Sequence, residues 1–371
     1  MAHATSHPAT DAAIDDANDA EIVAVEQTSG KTVVAVVTAS SRVGKATVRH
    51  LLVSHGNKVH IRAVFRGKSK TKEDFIHDLL QSEGTENGAT LAAESLISNL
   101  ANVEVVCGFD VADPTTHAAA FSGVDRALVI APQLENRQEI VNSILTAGKS
   151  HGVRRVVIIG GVFQEEEKFI FHRQWQSTRR HADETLGLSW TQLECGDFME
   201  NVLRNKETIC NEDKVYGAGG NPGACSLPIA LDDIGKAAAV ILACDDDVAH
   251  NRQAYRIVGP DLLSQHDMAR IIGEKIGKEV TFVDLGLDVA IERATTVGGS
   301  ARWQAEGFHD WMRLYYTTGR FKEVMSDLPL LGIRPVSFGE WMDRHVGEFL
   351  AKSDCLGTSS QQTKADVLAD I

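Results

Sequence analysis

The chain has 371 residues and a formal net charge of −14, from 37 Lys and Arg against 51 Asp and Glu. Six of these acids precede Lys31 in a stretch without Lys or Arg, so the rest of the chain has a net charge of −8. A nucleic-acid partner needs a basic surface, and this negative charge argues against one. No apolar run approaches the roughly 18 residues of a membrane span. The acidic N-terminus also lacks the basic start and apolar core of a signal peptide, so we expect a cytoplasmic protein with no membrane contact.

Residues 1–30 mix Ala, Asp, Thr and Pro without periodicity and are predicted to be a disordered acidic tail. From Lys31 onward, β-branched apolar runs alternate with amphipathic helical patterns. This alternation predicts an α/β fold with a doubly wound, Rossmann-like parallel sheet. The predicted strands are 33–37, 59–65, 103–106, 126–130 and 155–159, and the predicted helices are 43–53, 71–82, 91–100, 114–121 and 136–148.

Beyond about residue 160 the pattern is less regular and predicts a smaller mixed α/β lobe on the substrate side. We therefore expect one domain over 31–350, with a dinucleotide-binding part at 31–160 and a mixed sheet plus the lobe at 161–350. Residues 351–371 should form a flexible tail. The predicted strands here are 190–195, 254–258 and 280–285, and the predicted helices are 234–242, 264–276 and 302–321.

The two helices predicted between the second and third strands form an insert, since one helix is usual there. This insert, within 71–100, either covers the adenine side of a nucleotide site or forms a partner surface.

The turn VTASSRVG after the first strand is the first candidate site. A dinucleotide-binding turn needs glycine at three places, which here hold Thr38, Ser41 and Gly44. Backbone N–H groups and the helix dipole hold a phosphate without side chains, but a Cβ strains any positive φ. We favour a phosphate site over a purely structural turn. Its cofactor-binding residues would be Thr38, Ser40, Ser41, Arg42, Val43 and Gly44.

The sequence RGKSK follows the second strand, where an acid would accept the ribose 2′-OH of NAD. Basic residues instead suit a 2′-phosphate, so Arg66 and Lys70 favour NADP, with NAD possible. The alternative is a solvated basic loop.

Residues at the ends of the next two strands complete the predicted nucleotide site. Asp110 either approaches the adenine ring or caps the helix that starts at Asp113 and Pro114. Ala131 and Pro132 end the fourth strand, beside the expected path of the nicotinamide. The six cysteines show no CxxC or Cys/His spacing, so we expect reduced thiols and no metal site.

Several segments in this order resemble the NmrA-like family, atypical members of the short-chain dehydrogenase/reductase superfamily. The resemblance covers residues 32–345 and implies NAD(P) binding. It implies either an NAD(P)H-dependent reductase of a small quinone-, azo- or imine-like acceptor, or a non-catalytic NADP sensor acting through a regulatory protein partner. The segments are VTASSRVG (37–44), RAVFR (62–66), CGFDVAD (107–113), AFSGVD (120–125), RRVVIIGG (154–161), HADETLGLSWTQLECGDFMENVL (181–203), LDDIGKAAAVIL (231–242) and YRIVGPDLLSQHDMARII (255–272).

The catalytic Ser and Tyr-x-x-x-Lys set of the superfamily is missing. Gly160 and Gly161 occupy the serine region, and the Tyr and Lys places fall on Ser177 and His181. His181 and His172 remain as candidates for proton transfer, with surface or packing roles as the alternative. A substrate that takes hydride and then a proton from water needs no Tyr, so reduction of quinones or imines stays chemically open.

Three other groups have both a functional and a structural interpretation. A helical aromatic group either lines an apolar pocket or packs in the core, with the core favoured. A segment after the sixth strand resembles the family's substrate-cleft segment, and two acids open the helix at 234–242 as caps rather than catalytic groups. The aromatic group consists of Trp303, Trp311, Tyr315 and Tyr316. The segment after the sixth strand contains Phe198, Met199 and Asn201, and the two acids are Asp232 and Asp233.

Overall fold

The computed structural model describes residues 30–67, 70–81, 89–163, 169–218, 224–317 and 319–350, with only the backbone at 81, 89–93 and 313–317. Except for Gly30, the predicted tails at 1–30 and 351–371 lie outside these residues. Over the described ranges, no helix combines the length and apolarity needed to cross a bilayer.

Up to about residue 160 the strands alternate with helices as the sequence predicts. In chain order the strands are β1 (Thr32–Val37), β2 (Val59–Val64), β3 (Val103–Val106), β4 (Arg126–Val129), β5 (Arg155–Gly161), β6 (Ser189–Cys195), β7 (Lys214–Gly217), β8 (Cys225–Ser226), β9 (Gln253–Ile257), β10 (Leu263–Ser264) and β11 (Thr281–Asp284). The helices are α1 (Arg42–His55), α2 (Lys72–Gln81), α3 (Ala89–Ser98), α4 (His117–Phe121), α5 (Arg137–Ser150), α6 (Ile170–Arg180), α7 (Lys206–Glu212), α8 (Leu231–Ala243), α9 (Gln265–Ile276), α10 (Leu287–Thr296), α11 (Arg302–Thr317) and α12 (Phe338–Leu350).

The main sheet has seven parallel strands in the order β3-β2-β1-β4-β5-β6-β9. Successive residues of β1 face opposite sides, since Val34 and Val36 pack with Leu51 of α1 in one core, and Val33 packs with Ile144 of α5 in another. Helices therefore cover both faces, and the predicted doubly wound fold is confirmed. All seven strands point their carboxyl ends to one edge, where ligands bind in such folds.

The later segments form a smaller mixed lobe. In it β7 pairs with β11 in parallel, and β8 pairs with β10 antiparallel. α9 and α12 pack over these pairs around a core that includes Trp341 and Phe338. The division of the chain at residue 160 stays a prediction.

The element boundaries differ from the predictions in places. The predicted helix 114–121 is a 3₁₀ turn, Pro114–Thr116, followed by α4. The predicted helix 302–321 ends earlier, because α11 stops at Thr317 and a separate 3₁₀ turn covers Arg320–Glu323. The insert does contain two helices, α2 and α3, of which α3 packs against α1.

Helix α8 packs closely on α1 and holds it in place. A Cβ added at Gly235 would lie 2.4 Å from Cβ of Ala46, so the two backbones are nearly in contact. Asp232 forms ion pairs with Arg49 and His50. Burial alone would raise the pKa of Asp232, but the hydrogen bond and charge of His50, with Arg49, hold it well below its ordinary value.

The prediction that Asp232 and Asp233 cap α8 is wrong in detail. The cap position is Ala230, which has no side-chain hydrogen bond to the helix. Asp233 instead accepts a hydrogen bond from the backbone N–H of Val336 at 2.8 Å. Both acids therefore fix α8 to neighbouring segments, which is a structural role.

Candidate functional site

The chain turns between β1 and α1 at Thr38, where φ is +59°. This left-handed conformation favours glycine, as expected for the first place of a dinucleotide-binding turn. Oγ1 of Thr38 donates a hydrogen bond to the carbonyl oxygen of Ile130, just past β4, at 2.8 Å. The side chain thus links the ends of two neighbouring strands and offsets part of the cost of the strained backbone.

Ser41 is the N-cap of α1, and its Oγ accepts a hydrogen bond from the backbone N–H of Gly44 at 3.0 Å. A Cβ at Gly44 would lie 2.7 Å from the carbonyl oxygen of Thr38, so the third place requires glycine. Ser40 and Arg42 are exposed beside this turn, whereas Val43 is buried. The turn therefore keeps its shape with two of the three glycines replaced.

The two basic residues after β2 differ in their surroundings. Arg66 is exposed just beyond the strand. Nζ of Lys70 instead forms an ion pair with Asp78 on α2. Since the charge of Lys70 is already paired, Arg66 is the better candidate for a 2′-phosphate.

The acid after β3 lies in a tight local turn. Oδ1 of Asp110, an exposed residue, accepts a hydrogen bond from the N–H of Ala112 at 2.9 Å. The N-cap of the following 3₁₀ turn is Asp113, which accepts from the N–H of Thr115 at 3.0 Å. Asp110 is therefore not that cap, and its contact with adenine stays a prediction.

The fourth strand ends as predicted at the carboxyl edge of the sheet. Ala131 is buried and Pro132 is half-buried directly after Ile130, which accepts the bond from Thr38. The next residue, Gln133, lines a cavity at this edge.

A cavity of about 170 Å³ lies at the carboxyl ends of β4, β5 and β6, between the sheet and helices α6, α10 and α11. Its lining combines five Phe and Trp rings and three glycines with seven polar or charged residues. It is formed by Gln133, Gly160, Gly161, Phe171, Trp175, Cys195, Gly196, Asp197, Phe198, Asn201, Arg204, Ala294, Ser300, Gln304, Ala305, Phe308, His309 and Trp311. Apolar walls with a few polar groups at the edge of an α/β sheet are typical of a small-molecule site.

The glycines at the end of β5 shape the cavity floor. A Cβ at Gly161 would lie 2.4 Å from the ring of Trp175, which stands on α6. A Cβ at Gly160 would lie 2.7 Å from Nε2 of Gln192. The region where the superfamily carries a catalytic serine is therefore occupied by close packing of an aromatic ring and an amide.

Neither predicted catalytic histidine is among the residues that line this cavity. His172 is fully buried on α6, with its ring 5.2 Å from that of Phe169. His181 lies in a π-helical turn after α6, where its Nε2 is 2.9 Å from Oγ1 of Thr146 on α5. Burial lowers the pKa of His181. Both contacts favour the packing roles that we gave as the alternative.

The predicted cleft segment after β6 is partly in the cavity. Phe198 and Asn201 line it, whereas Met199 is buried in the core of the smaller lobe. Nδ2 of Asn201 donates to Oδ1 of Asp197 at 2.7 Å. The exposed Arg204 also lines the cavity, close enough to Asp197 for the two opposite charges to interact. One end of the cavity is therefore polar.

The aromatic residues of α11 also differ in whether they line the cavity. Trp311 lines the cavity. Trp303 stands near Phe171, with 6.1 Å between ring centroids. The side chains of Tyr315 and Tyr316 lie outside the described residues.

Sequence reasoning missed His309, which lines the cavity from α11 and is only 8% exposed. The available signal was its spacing, since His309 lies four residues after the buried Ala305, on the apolar face of an amphipathic helix. Cys195 also lines the cavity, and burial raises the pKa of its thiol, which disfavours the thiolate form.

A half-buried carboxyl group, that of Glu200, lies between the sheet and the smaller lobe, outside the cavity lining. Oε1 of Glu200 accepts hydrogen bonds from the N–H of Leu231, at the start of α8, and from Nε1 of Trp341, both at 3.1 Å. Burial raises the pKa of Glu200 to about 7. This side chain joins α8 to α12.

Comparisons with known proteins agree with this fold. The model of the NmrA-like family matches residues 30–294. An NAD(P)H azoreductase of Xenophilus azovorans is 26% identical over 262 residues, which cover 70% of this chain and 88% of the relative.

Two solved structures share the fold at low identity. An NADPH-dependent quinone oxidoreductase of Escherichia coli, in complex with NADPH, superposes with a TM-score of 0.64 at 18% identity, over 83% of this chain and 98% of that one. NmrA, a negative transcriptional regulator, superposes with a TM-score of 0.63 at 15% identity, over 88% of this chain and 99% of that one. At these identities the likeness shows the fold alone.

Proposed function

Because the chain belongs to the NmrA-like family, we propose that it binds NADP(H) and reduces a small planar aromatic acceptor of the quinone, azo or imine type. The observation that carries this proposal is the aromatic cavity at the carboxyl ends of β4, β5 and β6. The relative described as an NAD(P)H azoreductase supports the same reaction class.

The residues of the first turn fit a dinucleotide. The close approach of Gly44 to the carbonyl oxygen of Thr38 preserves the tight turn that brings the start of α1 near a pyrophosphate. The backbone N–H groups at the start of α1, together with Arg42, would hold the phosphates, and Arg66 the 2′-phosphate. When bound, NADPH supplies a hydride.

The side chains of the cavity would bind and orient the acceptor. Phe171, Trp175 and Phe308 offer ring faces on which a planar aromatic molecule stacks, and they exclude water from its reacting face. The superfamily's Tyr and Lys places hold Ser177 and His181, so no residue there supplies the usual proton donor. This favours acceptors whose reduced products take a proton from water.

The test is loss of NADPH absorbance with a panel of quinones, azo dyes and imines, combined with direct measurement of NADPH binding. Ala294, which lines the cavity from α10, provides a blocking variant, because Ala294→Trp would fill the space that the acceptor needs. Val289 lies on the same helix and is 55% exposed, so Val289→Trp is the matched control. We expect Ala294→Trp to abolish turnover with little loss of NADPH affinity, and Val289→Trp to retain both.

A non-catalytic sensor of NADP redox state, acting through a protein partner, is the second candidate. The missing Tyr and Lys and the packing of Trp175 against Gly161, where a catalytic serine is usual, favour it. A sensor must discriminate the two redox states. Different affinities for NADPH and NADP⁺ without turnover of any acceptor would support it, and turnover that Ala294→Trp removes would contradict it.

A further inference from the structure

His309 has an unusual environment for a histidine on a helix. It is buried on α11 and lines the cavity, and its Nδ1 has no hydrogen-bond partner among the described residues. Its one ring contact there is with Phe308, with 5.8 Å between centroids. Because Nδ1 is enclosed by protein atoms, a ligand in the cavity does not reach it, and Nε2, which is not among the enclosed atoms, is the ring nitrogen available to such a ligand.

The protonation state of His309 defines which ligand atoms it can bind. Burial lowers the pKa of His309, and the neighbouring carboxylate of Asp310 only partly opposes this. At neutral pH the ring is therefore uncharged and has one N–H donor and one acceptor nitrogen. The opposite charges of Arg204 and Asp197, which also line the cavity, interact with each other.

A second unsatisfied group lies on another wall of the same cavity. Oε1 of Gln133, after β4, is buried without a partner among the described residues. The backbone oxygen of Gln133 accepts a hydrogen bond from Nε2 of Gln304 on α11 at 2.7 Å. This bond holds the loop after β4 against the helix that carries His309. The loop after β4 and the helix that carries His309 are therefore hydrogen-bonded, neighbouring walls of the cavity.

We infer that His309 is the hydrogen-bond donor that holds the carbonyl oxygen or azo nitrogen of the acceptor in the cavity. This inference rests on the proposed function for the class of ligand. A neutral N–H donor suits an uncharged acceptor atom, because it binds the lone pair without bringing an unpaired charge into the apolar space. Ring stacking fixes the plane of the ligand, and the bond from His309 fixes its rotation within that plane.

The experiment measures binding of menadione, a naphthoquinone, through quenching of tryptophan fluorescence, since Trp175 and Trp311 line the cavity. His309→Leu removes the donor with little change of volume, and His309→Gln restores an N–H donor. Loss of a buried hydrogen bond predicts about a tenfold weaker quinone affinity for His309→Leu, with partial recovery in His309→Gln and an unchanged Kd for NADPH. His266→Leu, at an exposed histidine on α9, is the control for loss of an imidazole.

A second readout follows the unmodified protein by NMR, and a variant is needed only to assign the resonance of His309. The imidazole resonance that disappears in His309→Gln is assigned to His309, and it should shift when menadione is added. Equal quinone affinities of wild type and His309→Leu, or no shift of that resonance, would overturn the inference. Failure of the proposed function is distinct from this, because it is the absence of NADPH consumption by the wild type with any acceptor.

Discussion

Oγ of Ser41 accepts a hydrogen bond from the backbone N–H of Gly44, with 3.0 Å between the two atoms. The serine hydroxyl therefore occupies the N-terminus of α1, where free N–H groups and the helix dipole attract anions. In a glycine-rich turn this place has no side chain. A phosphate at this turn must displace the serine oxygen from that N–H or bind beside it.

We expect Ser41→Gly to tighten NADPH binding by about tenfold, because it frees the N–H of Gly44 for a phosphate oxygen. The same change should cost α1 only a few tenths of a kcal/mol, as expected for glycine at an N-cap. Isothermal titration calorimetry measures the affinity, and urea unfolding measures the stability.

Ser41→Ala is the matched control, because it frees the same N–H but keeps a Cβ over the turn. Its NADPH affinity should be intermediate, and it should lose about 1 kcal/mol of stability with the cap. Weaker NADPH binding in both variants would mean that the hydroxyl itself donates to the phosphate.

Arg66 provides the test for the 2′-phosphate. A hydrogen bond between a guanidinium and a phosphate contributes about 1.5 to 3 kcal/mol, so Arg66→Ala should weaken NADPH by about tenfold to a hundredfold. NADH has no 2′-phosphate, and its affinity should change little. Titration of both nucleotides checks this, with Arg270→Ala on α9 as a control at an exposed arginine paired with Glu274. Equal losses for NADPH and NADH would exclude this role for Arg66.

The strands and helices of the sheet were predictable because local patterns indicate where each element lies. Val33 to Val37 form a continuous apolar run, which is typical of a strand buried on both faces, and the next segments continue the alternation of strand and helix. The strain at Thr38 was predictable for a related reason. The tight turn after β1 demands a left-handed residue whatever side chain stands there.

The cavity was less predictable because its walls come from distant segments. His309 and Phe171 lie far apart in the sequence, and only the packing of α11 against α6 and the sheet edge brings them together. The partners of charged side chains are equally hard to predict from the sequence. Lys70 has a phosphate-binding context in the sequence, yet its charge is paired with Asp78 on the following helix.

Glu200 should make stability depend on pH. Burial raises the pKa of its carboxyl from an ordinary 4.5 to about 7, so the folded state favours the neutral form. The contribution to stability is fully present below about pH 4.5 and is lost as the pH rises to about 7, by roughly 1.4 kcal/mol per pH unit. Glu200→Gln has no such titration. Its stability relative to wild type should therefore improve by on the order of 3 kcal/mol across this window.

Urea unfolding at several pH values measures this difference. Glu207→Gln on α7 removes an exposed carboxylate, so its stability should depend on pH in the same way as that of the wild type. If the stability of Glu200→Gln also depended on pH as in the wild type, the carboxyl of Glu200 would have the same pKa in the folded and unfolded states.

Substitution by alanine should have opposite effects on stability at two glycines that lie in helices. A Cβ at Gly235 would lie 2.4 Å from Cβ of Ala46 and 2.8 Å from the backbone nitrogen of Thr47, so Gly235→Ala must push α8 away from α1. Overpacking of this kind costs about 1 to 3 kcal/mol. Gly347, in α12, has no atom within 4 Å of an added Cβ, so Gly347→Ala should stabilise the protein by about 0.5 to 1 kcal/mol.

Urea unfolding of the two variants gives the sign of each change. NADPH titration adds a functional consequence, because α1 begins at the proposed phosphate turn and a displaced α1 would misplace that turn. Gly235→Ala should therefore also weaken NADPH binding, whereas Gly347→Ala should leave it unchanged. Stabilisation of the protein by both alanines would contradict the close approach of α1 and α8, since the gain in helix propensity would then outweigh any steric conflict at Gly235.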